Sequence, residues 1–302
     1  MIISRHSASA FFRSLAATVG VLCAASLLPT RTAFSQPVEG TLLHSEPGGI
    51  ARVLREQRRG DTFLVYPKAG GAKRVRVRDG KILHVYAGAC SGSAFAGQYV
   101  VGLTANCLLD DDRERIVDLG PTPAFDNAFH ISWLDEDDTS VRFLMNGRPW
   151  TSEGYIMLRT IDKVSSRAQA KNFVSGVPGY SGAMSVNRGI DTFLFTMGTG
   201  EFSNVLYSAG LAGLRAAAAA GATFNFQEKF QEAARFEGLS FNMDALGDKL
   251  VYHTEESYLY DIKGNRRQEH GLRQGCEPFA FDGPDALLAQ CDGKEIRRFP
   301  IR

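Results

Sequence analysis

LSFNMDALGDKLVYHTEESYLYDIKG, residues 239–264, reads as three short strands in a row. Residues 239–243, 249–253 and 258–262 carry the apolar and aromatic side chains. Residues 244–248 and 254–257, with their Asp, Gly and Ser, read as the turns between them. Such a meander has one apolar face and cannot bury it alone. Repeated along a chain, it builds a radial array of small sheets.

The pattern recurs. Second-strand runs are legible at residues 61–66 (DTFLVY), 98–103 (QYVVGL), 140–145 (SVRFLM), 191–196 (DTFLFT), 248–253 (DKLVYH) and 285–290 (DALLAQ). A turn follows each, then a third strand, read at 73–78, 113–119, 154–161, 204–208, 258–262 and 295–301. First strands are read at 94–96, 129–133, 183–186, 239–243 and 279–281. The marker-to-marker spacing of about 37 to 57 residues suits a four-stranded propeller blade with loop insertions. The expected fold is all-β, a six-bladed β-propeller. For the first blade, residues 49–59 are read as the inner strand, although Ile50, Val53 and Leu54 also fit a short helix. The last blade lacks a fourth strand. Residues 40–45 (GTLLHS) are expected to supply it beside 295–301, with Leu42 and Leu43 against residues 297–299, closing the ring without an exposed edge.

Two insertions stand out: a Gly-rich loop at 170–182, and a longer one at 211–238. In the second, Phe226, Phe230, Ala233 and Ala234 fall at helical spacing, so residues 226–236 are expected to form an amphipathic helix. Both insertions are expected between a fourth strand and the next first strand. They would share one mouth of the central channel with the turns between second and third strands.

Residues 1–35 read as a signal peptide. Arg5 and Arg13 precede an apolar run at 15–28, Pro29 breaks it, and Ala33-Phe34-Ser35 is a small-x-small cleavage site. The propeller then occupies residues 36–302, and its expected location is periplasmic or secreted. No later segment has the length and hydropathy of a membrane span. Cleavage removes three arginines and no acid, taking the formal net charge from +1 to −2. A near-neutral product gives no electrostatic reason to expect nucleic acid as partner. Four cysteines remain: Cys90, Cys107, Cys276 and Cys291. An even count in an exported chain suggests disulfides, and three pairings are open. Cys276 and Cys291 mirror each other about residues 282–285, and Cys90 and Cys107 about 96–99. The meander therefore favours Cys90–Cys107 and Cys276–Cys291, each closing a loop worth roughly 3 kcal/mol.

In the opening stretch, Phe241, Asp244 and the trio Leu250-Val251-Tyr252, followed by Leu259-Tyr260-Asp261, resemble the repeat of the TolB-like (WD40-like) six-bladed propellers. That repeat reads Phe-Ser-Pro-Asp-Gly, two variable residues and an apolar trio, then a strand beginning Leu-Tyr. Asn242, Met243 and Ala245 stand at its Ser, Pro and Gly. The resemblance implies a cell-envelope propeller. The family holds protein-binding scaffolds and, among related propellers, hydrolases of small cyclic esters.

Motifs for chemistry are sparse. The histidines of the mature chain, His44, His84, His130, His253 and His270, are scattered, and no His-Glu-x-x-His motif occurs. Gly179-Tyr180-Ser181-Gly182-Ala183 lacks the last Gly of a nucleophile elbow and stands in no α/β context. The candidate partner-binding residues of the loop-rich mouth are Asp110, Asp111, Asp112, Arg148, Trp150, Tyr180, Glu201, His253, Glu255 and Glu277. Aromatic residues and Arg at a rim suit protein recognition. Residues 135–138 are read as a solvated acidic turn on the opposite face. The expectation is a non-catalytic propeller without a cofactor or bound metal, binding an envelope or extracellular protein. The alternative is a lactonase-like hydrolase with calcium in the channel, which needs Asp110–Asp112, Glu201 and Glu277 to converge.

Overall fold

The computed structural model describes residues 39–301 except 104, 122–127, 148–152, 179, 201–202, 238–241 and 254–256. The expected leader, residues 1–35, lies outside the described residues.

Among the described residues six sheets, antiparallel except for one short strand added in parallel to the third, follow one another in chain order, and together they make a six-bladed β-propeller. Their inner strands are Ile50–Arg55, Ala94–Ala96, Ala128–Glu136, Tyr180–Asn187, Asn242–Leu246 and Cys276–Phe281. The second strands explain the sequence pattern. Leu250, Val251 and Tyr252 are all buried, because the middle of a blade is covered on both faces. Leu250 and Tyr252 pack toward Leu194 and Leu206 of the fourth blade, while Val251 packs toward Phe281 and Leu287 of the sixth. Thr62–Pro67 behaves alike: Leu64 and Tyr66 meet Phe95 and Val100, and Phe63 and Val65 meet Leu288 and Ile296. Two-sided burial turns a strand into a continuous apolar run instead of an alternating one.

The sixth sheet has the order Thr41–Ser45, Glu295–Pro300, Ala286–Cys291, Cys276–Phe281. Leu42 stands opposite Arg297, and the register slips between Leu42 and His44. A side chain at Gly40 would run into the Phe299 ring, so glycine is required where the chain enters this strand.

Several boundaries differ from the sequence reading. In the second blade, Tyr99–Val101 is only three residues long, and the third strand is Asn106–Asp110. Residues 113–119, expected as the third strand, instead hold the fourth, Arg115–Asp118. Of the loop expected at 170–182, residues 170–178 are strand instead: Ala168–Pro178 is the fourth strand of the third blade. The segment 211–238 does not follow the fourth strand of its blade: 211–230 lies between the third and the fourth, and 231–237 is the fourth. Helix Leu211–Ala219 opens it, its first amides held by Asp191 through the backbone carbonyl (3.2 Å to Leu211 N) and Oδ2 (3.1 Å to Ala212 N). Phe224–Asn225 then adds in parallel to Ala168–Pro178. The helix expected over 226–236 is a single turn, Phe226–Lys229, and Gln231–Glu237 is the blade's fourth strand. One turn already buries Phe226 and Phe230 against Phe195 and Phe224, and the open edge of Ser203–Gly210 claims the rest. The inner strand of the fifth blade is Asn242–Leu246, turned by Gly247 at φ +60°, so Asp244 lies within a strand.

Both expected disulfides form. Cys276 and Cys291 face each other across neighbouring strands with Cα atoms 4.0 Å apart. Cys90–Cys107 spans 6.3 Å, but not across a hairpin. Cys107 sits on the third strand, and Cys90 precedes the inner one.

Candidate functional site

Each inner strand runs from one face of the ring to the other. We call the starting face the top: it carries the connections between blades and the turns between second and third strands. The bottom carries the first-to-second and third-to-fourth turns. Tyr180 opens an inner strand, Glu277 is the second residue of another, and His253 ends a second strand, so all three lie at the top. Arg148, Trp150, Glu201 and Glu255 lie outside the described residues.

The Asp110–Asp112 expectation fails. These residues end a third strand and begin a third-to-fourth turn, which puts them on the bottom face. The error follows from the short second strand, which brings the third strand forward to Asn106. Asp111 accepts from the Tyr86 hydroxyl (2.5 Å) and from Arg74 Nη1 (3.3 Å), tying the second blade to the first. Asp110 accepts from the Arg113 amide and Arg115 Nε, both at 3.2 Å. Among the described residues, no three His, Cys, Asp or Glu side chains are grouped to hold a metal ion.

The insertions do not crown the top face either. The segment at 211–230 packs on the third and fourth blades from its place between a third and a fourth strand. What the structure brings together instead lies on the axis. A cavity of about 80 Å³ is lined by residues of every blade, among them Arg55, Glu56, Gln57, Ser93, Ser132, Ser185, Arg188, Asp244 and Phe279. Most of its charged groups lie at the bottom ends of the inner strands.

Glu56 is 1% exposed, and its carboxylate is fully occupied. It accepts from the amides of Arg58 (3.2 Å), Arg59 and Gly60 (2.8 Å) in its own turn, and from Gly97 (2.8 Å) in the next blade. Four amides around a carboxylate satisfy a charge that burial alone would make costly. Gln57 continues the ring: its amide donates to Phe95 O (2.8 Å), and its Oε1 accepts from Trp133 N (2.6 Å) of the third blade. On the other side of the axis, Asn187 exchanges bonds with Gly247 of the fifth blade (2.7 and 2.8 Å). Arg188 Nη2 donates to Asp244 Oδ2 (2.5 Å) and Phe281 O (3.2 Å), and the same Asp244 oxygen accepts from Phe281 N (2.8 Å). One Arg–Asp pair thus joins blades four, five and six.

Arg55 is less well served. Its Nη2 stands 3.6 Å from Asp282 Oδ1, while Arg298 Nε holds the other oxygen of that carboxylate at 2.7 Å. Burial, and after it the neighbouring Arg188 charge, pull the Arg55 guanidinium down to about 10, although Asp244 and Asp282 pull the other way. Neither Arg55 nor Arg188 was singled out by sequence. The available signal was charge at the end of an apolar inner strand: Arg55-Glu56, Asn187-Arg188 and Asp282.

No family model and no curated protein matches the chain. Among solved structures it is similar to the β-propeller domain of Cps50 (Swd1) from Myceliophteria thermophila. That match has 13% identity and a TM-score of 0.50, covering 85% of this chain and 98% of that one. It is also similar to an oligogalacturonate lyase from Vibrio parahaemolyticus (10% identity, TM-score 0.49, 85% and 79% covered). A third is the WD40 domain of Neurospora crassa Pan2 (9% identity, TM-score 0.45, 85% and 94% covered). The Cps50 likeness bears on the fold alone, and it is that of a β-propeller.

Proposed function

We propose that this chain is an exported, TolB-like propeller that works by binding a protein of the envelope or the extracellular space, and not by catalysing a reaction. The observation that carries this reading is the state of the channel carboxylates. Glu56 is held by four backbone amides, and Asp244 by Arg188 and the Phe281 amide. Carboxylates committed to joining blades are poorly placed to act as base, nucleophile or metal ligand. The lactonase-like reading, with calcium in the channel, would need such groups free and convergent. Export is supported by the sequence of residues 1–35 and by two disulfides. In this reading Thr41–Ser45, paired with Glu295–Pro300, is the clasp that locks the ring.

The partner would dock on the top face, where Tyr180, His253 and Glu277 lie at strand ends. The test is capture of partners from envelope extract by the full chain and by a Tyr180→Ala/Glu277→Arg variant, with melting curves run alongside. The expected result is loss of specific partners with an unchanged melt. A variant that keeps every partner moves the binding face elsewhere. A wild-type protein that captures nothing, and opens a small lactone when calcium is added, overturns the reading in favour of the hydrolase.

A further inference from the structure

Two guanidinium groups from opposite sides of the ring meet at the bottom end of the channel. Arg55 belongs to the first blade and Arg188 to the fourth, and both lie against the turn at Gly60. A methyl group built there would clash with Arg188 Nη1 and stand 3.3 Å from Arg55 Nη2. Gly60 has φ +70°, so the turn itself also calls for glycine. The Arg55 side chain is 8% exposed. Its Nε and Nη1, and the Nε of Arg188, are buried without any hydrogen-bond acceptor. Placing two like charges together, out of water and with donors unspent, is costly unless something neutralises them.

The surrounding acids, Asp244, Asp282 and Glu56, offset the charge, but their oxygens do not take up these spare donors. Asp282 is drawn to Arg298, Asp244 is already bonded to Arg188 Nη2 and Phe281 N, and Glu56 is capped by amides. The same cavity is lined by Ser132 and Ser185. Their hydroxyls make only long bonds, at 3.5 and 3.3 Å, to the following carbonyls, and these are easily exchanged for a ligand. A cavity of about 80 Å³ holds a group of a few heavy atoms and no more. Planar guanidinium forks match oxyanions in shape and charge.

We propose that the bottom of the channel is a binding site for a small oxyanion, held between Arg55 and Arg188 with Ser132 and Ser185 completing its shell. The oxyanion is either a free tetrahedral anion or the carboxylate of a small organic acid. This site is separate from the top face proposed for a protein partner, and its test needs only the purified protein.

The full chain is titrated calorimetrically, and melted, with phosphate, sulfate and acetate against chloride at matched ionic strength. At least one oxyanion is expected to bind saturably and raise the melting temperature. A response to acetate alone assigns an organic acid, and a response to phosphate or sulfate alone assigns a tetrahedral anion. Arg55→Gln and Arg188→Gln should each weaken binding about tenfold, the loss of one charge-assisted bond. Arg55→Lys should weaken it less than Arg55→Gln. Because Arg188 also pairs with Asp244, its variant can lose stability, and Arg55→Gln then carries the comparison. The proposal is overturned if no oxyanion outperforms chloride in the wild type. It is equally overturned if Arg55→Gln binds as tightly as the wild type.

Discussion

Replacing Glu56 by alanine tests the wiring of the channel. The carboxylate serves four amides, two of which, Gly60 N and Gly97 N, are buried at 2.8 Å from it. The amides of Arg58 and Arg59 are only partly buried, and water can replace the lost oxygen there. The Gly60 and Gly97 donors have no such recourse. A buried donor left without a partner costs about 1–3 kcal/mol, so the pair sets an expected loss of about 2 to 6 kcal/mol. At roughly 2 °C per kcal/mol for a chain of this size, the melting temperature should fall by about 4 to 12 °C. Glu56→Gln keeps one acceptor oxygen and turns an amide donor toward the other pair of N–H groups, so it should fall between wild type and Glu56→Ala. Urea unfolding followed by intrinsic fluorescence gives the free energies, and calorimetry the temperatures. The loss should be nearly independent of salt, since the bonds are buried. If Glu56→Ala unfolds within about 1 kcal/mol of wild type, the carboxylate is not the joint between the first two blades. The account of the channel acids as structural would then go with it.

Two further outcomes follow from the last blade. Burial pushes the Glu46 carboxyl up, but hydrogen bonds from Lys73 Nζ (2.5 Å) and His44 Nε2 (2.6 Å) outweigh it and hold the group below its ordinary value of 4.5. A depressed carboxyl adds stability above its unfolded-state value and loses it as the pH falls through the folded-state value. The wild type should therefore lose more stability than Glu46→Gln between pH 6 and pH 3, measured by urea midpoints, and parallel curves would refute the linkage. Removing Cys276–Cys291 by paired serine substitution opens a loop with a sequence separation of 15 and should cost about 3 kcal/mol. If reduction leaves the wild-type urea midpoint unchanged, this bond does not constrain the unfolded chain.

What the sequence could reveal was decided by how each strand is covered. Second strands are packed on both faces, so Thr62–Pro67 and Lys249–His253 appear as apolar runs that no other element would explain. The cysteine spacing survives for a similar reason: a direct pairing such as Cys276 with Cys291 is fixed by local register. Fourth strands lie at the rim, half wet, and carry no such mark. Ala168–Pro178 is mostly exposed along its first half and holds a glycine, so it passes for a loop. Gln231–Glu237 has the composition of a helix, and only its pairing with Ser203–Gly210 makes it a strand. That pairing lies in tertiary structure, which overrides a propensity worth a few tenths of a kcal/mol per residue. The misplacement of Asp110–Asp112 has the same origin, since one unrecognised strand in a blade reverses the face of every later turn in it. The channel charges were hidden differently. Arg55, Glu56, Arg188 and Asp244 come from three blades and are separated by more than a hundred residues at the extremes, so no local spacing joins them. They share only a position in the lower half of an inner strand or just past its end, where backbone amides of neighbouring turns converge. A charge placed there must find a partner among those amides or in another blade. Glu56 and Asp244 have done so; Arg55 has done so only in part, with Asp282 3.6 Å from its Nη2 while its Nε and Nη1 are left without an acceptor, and those spare donors are what an oxyanion in the channel would take up.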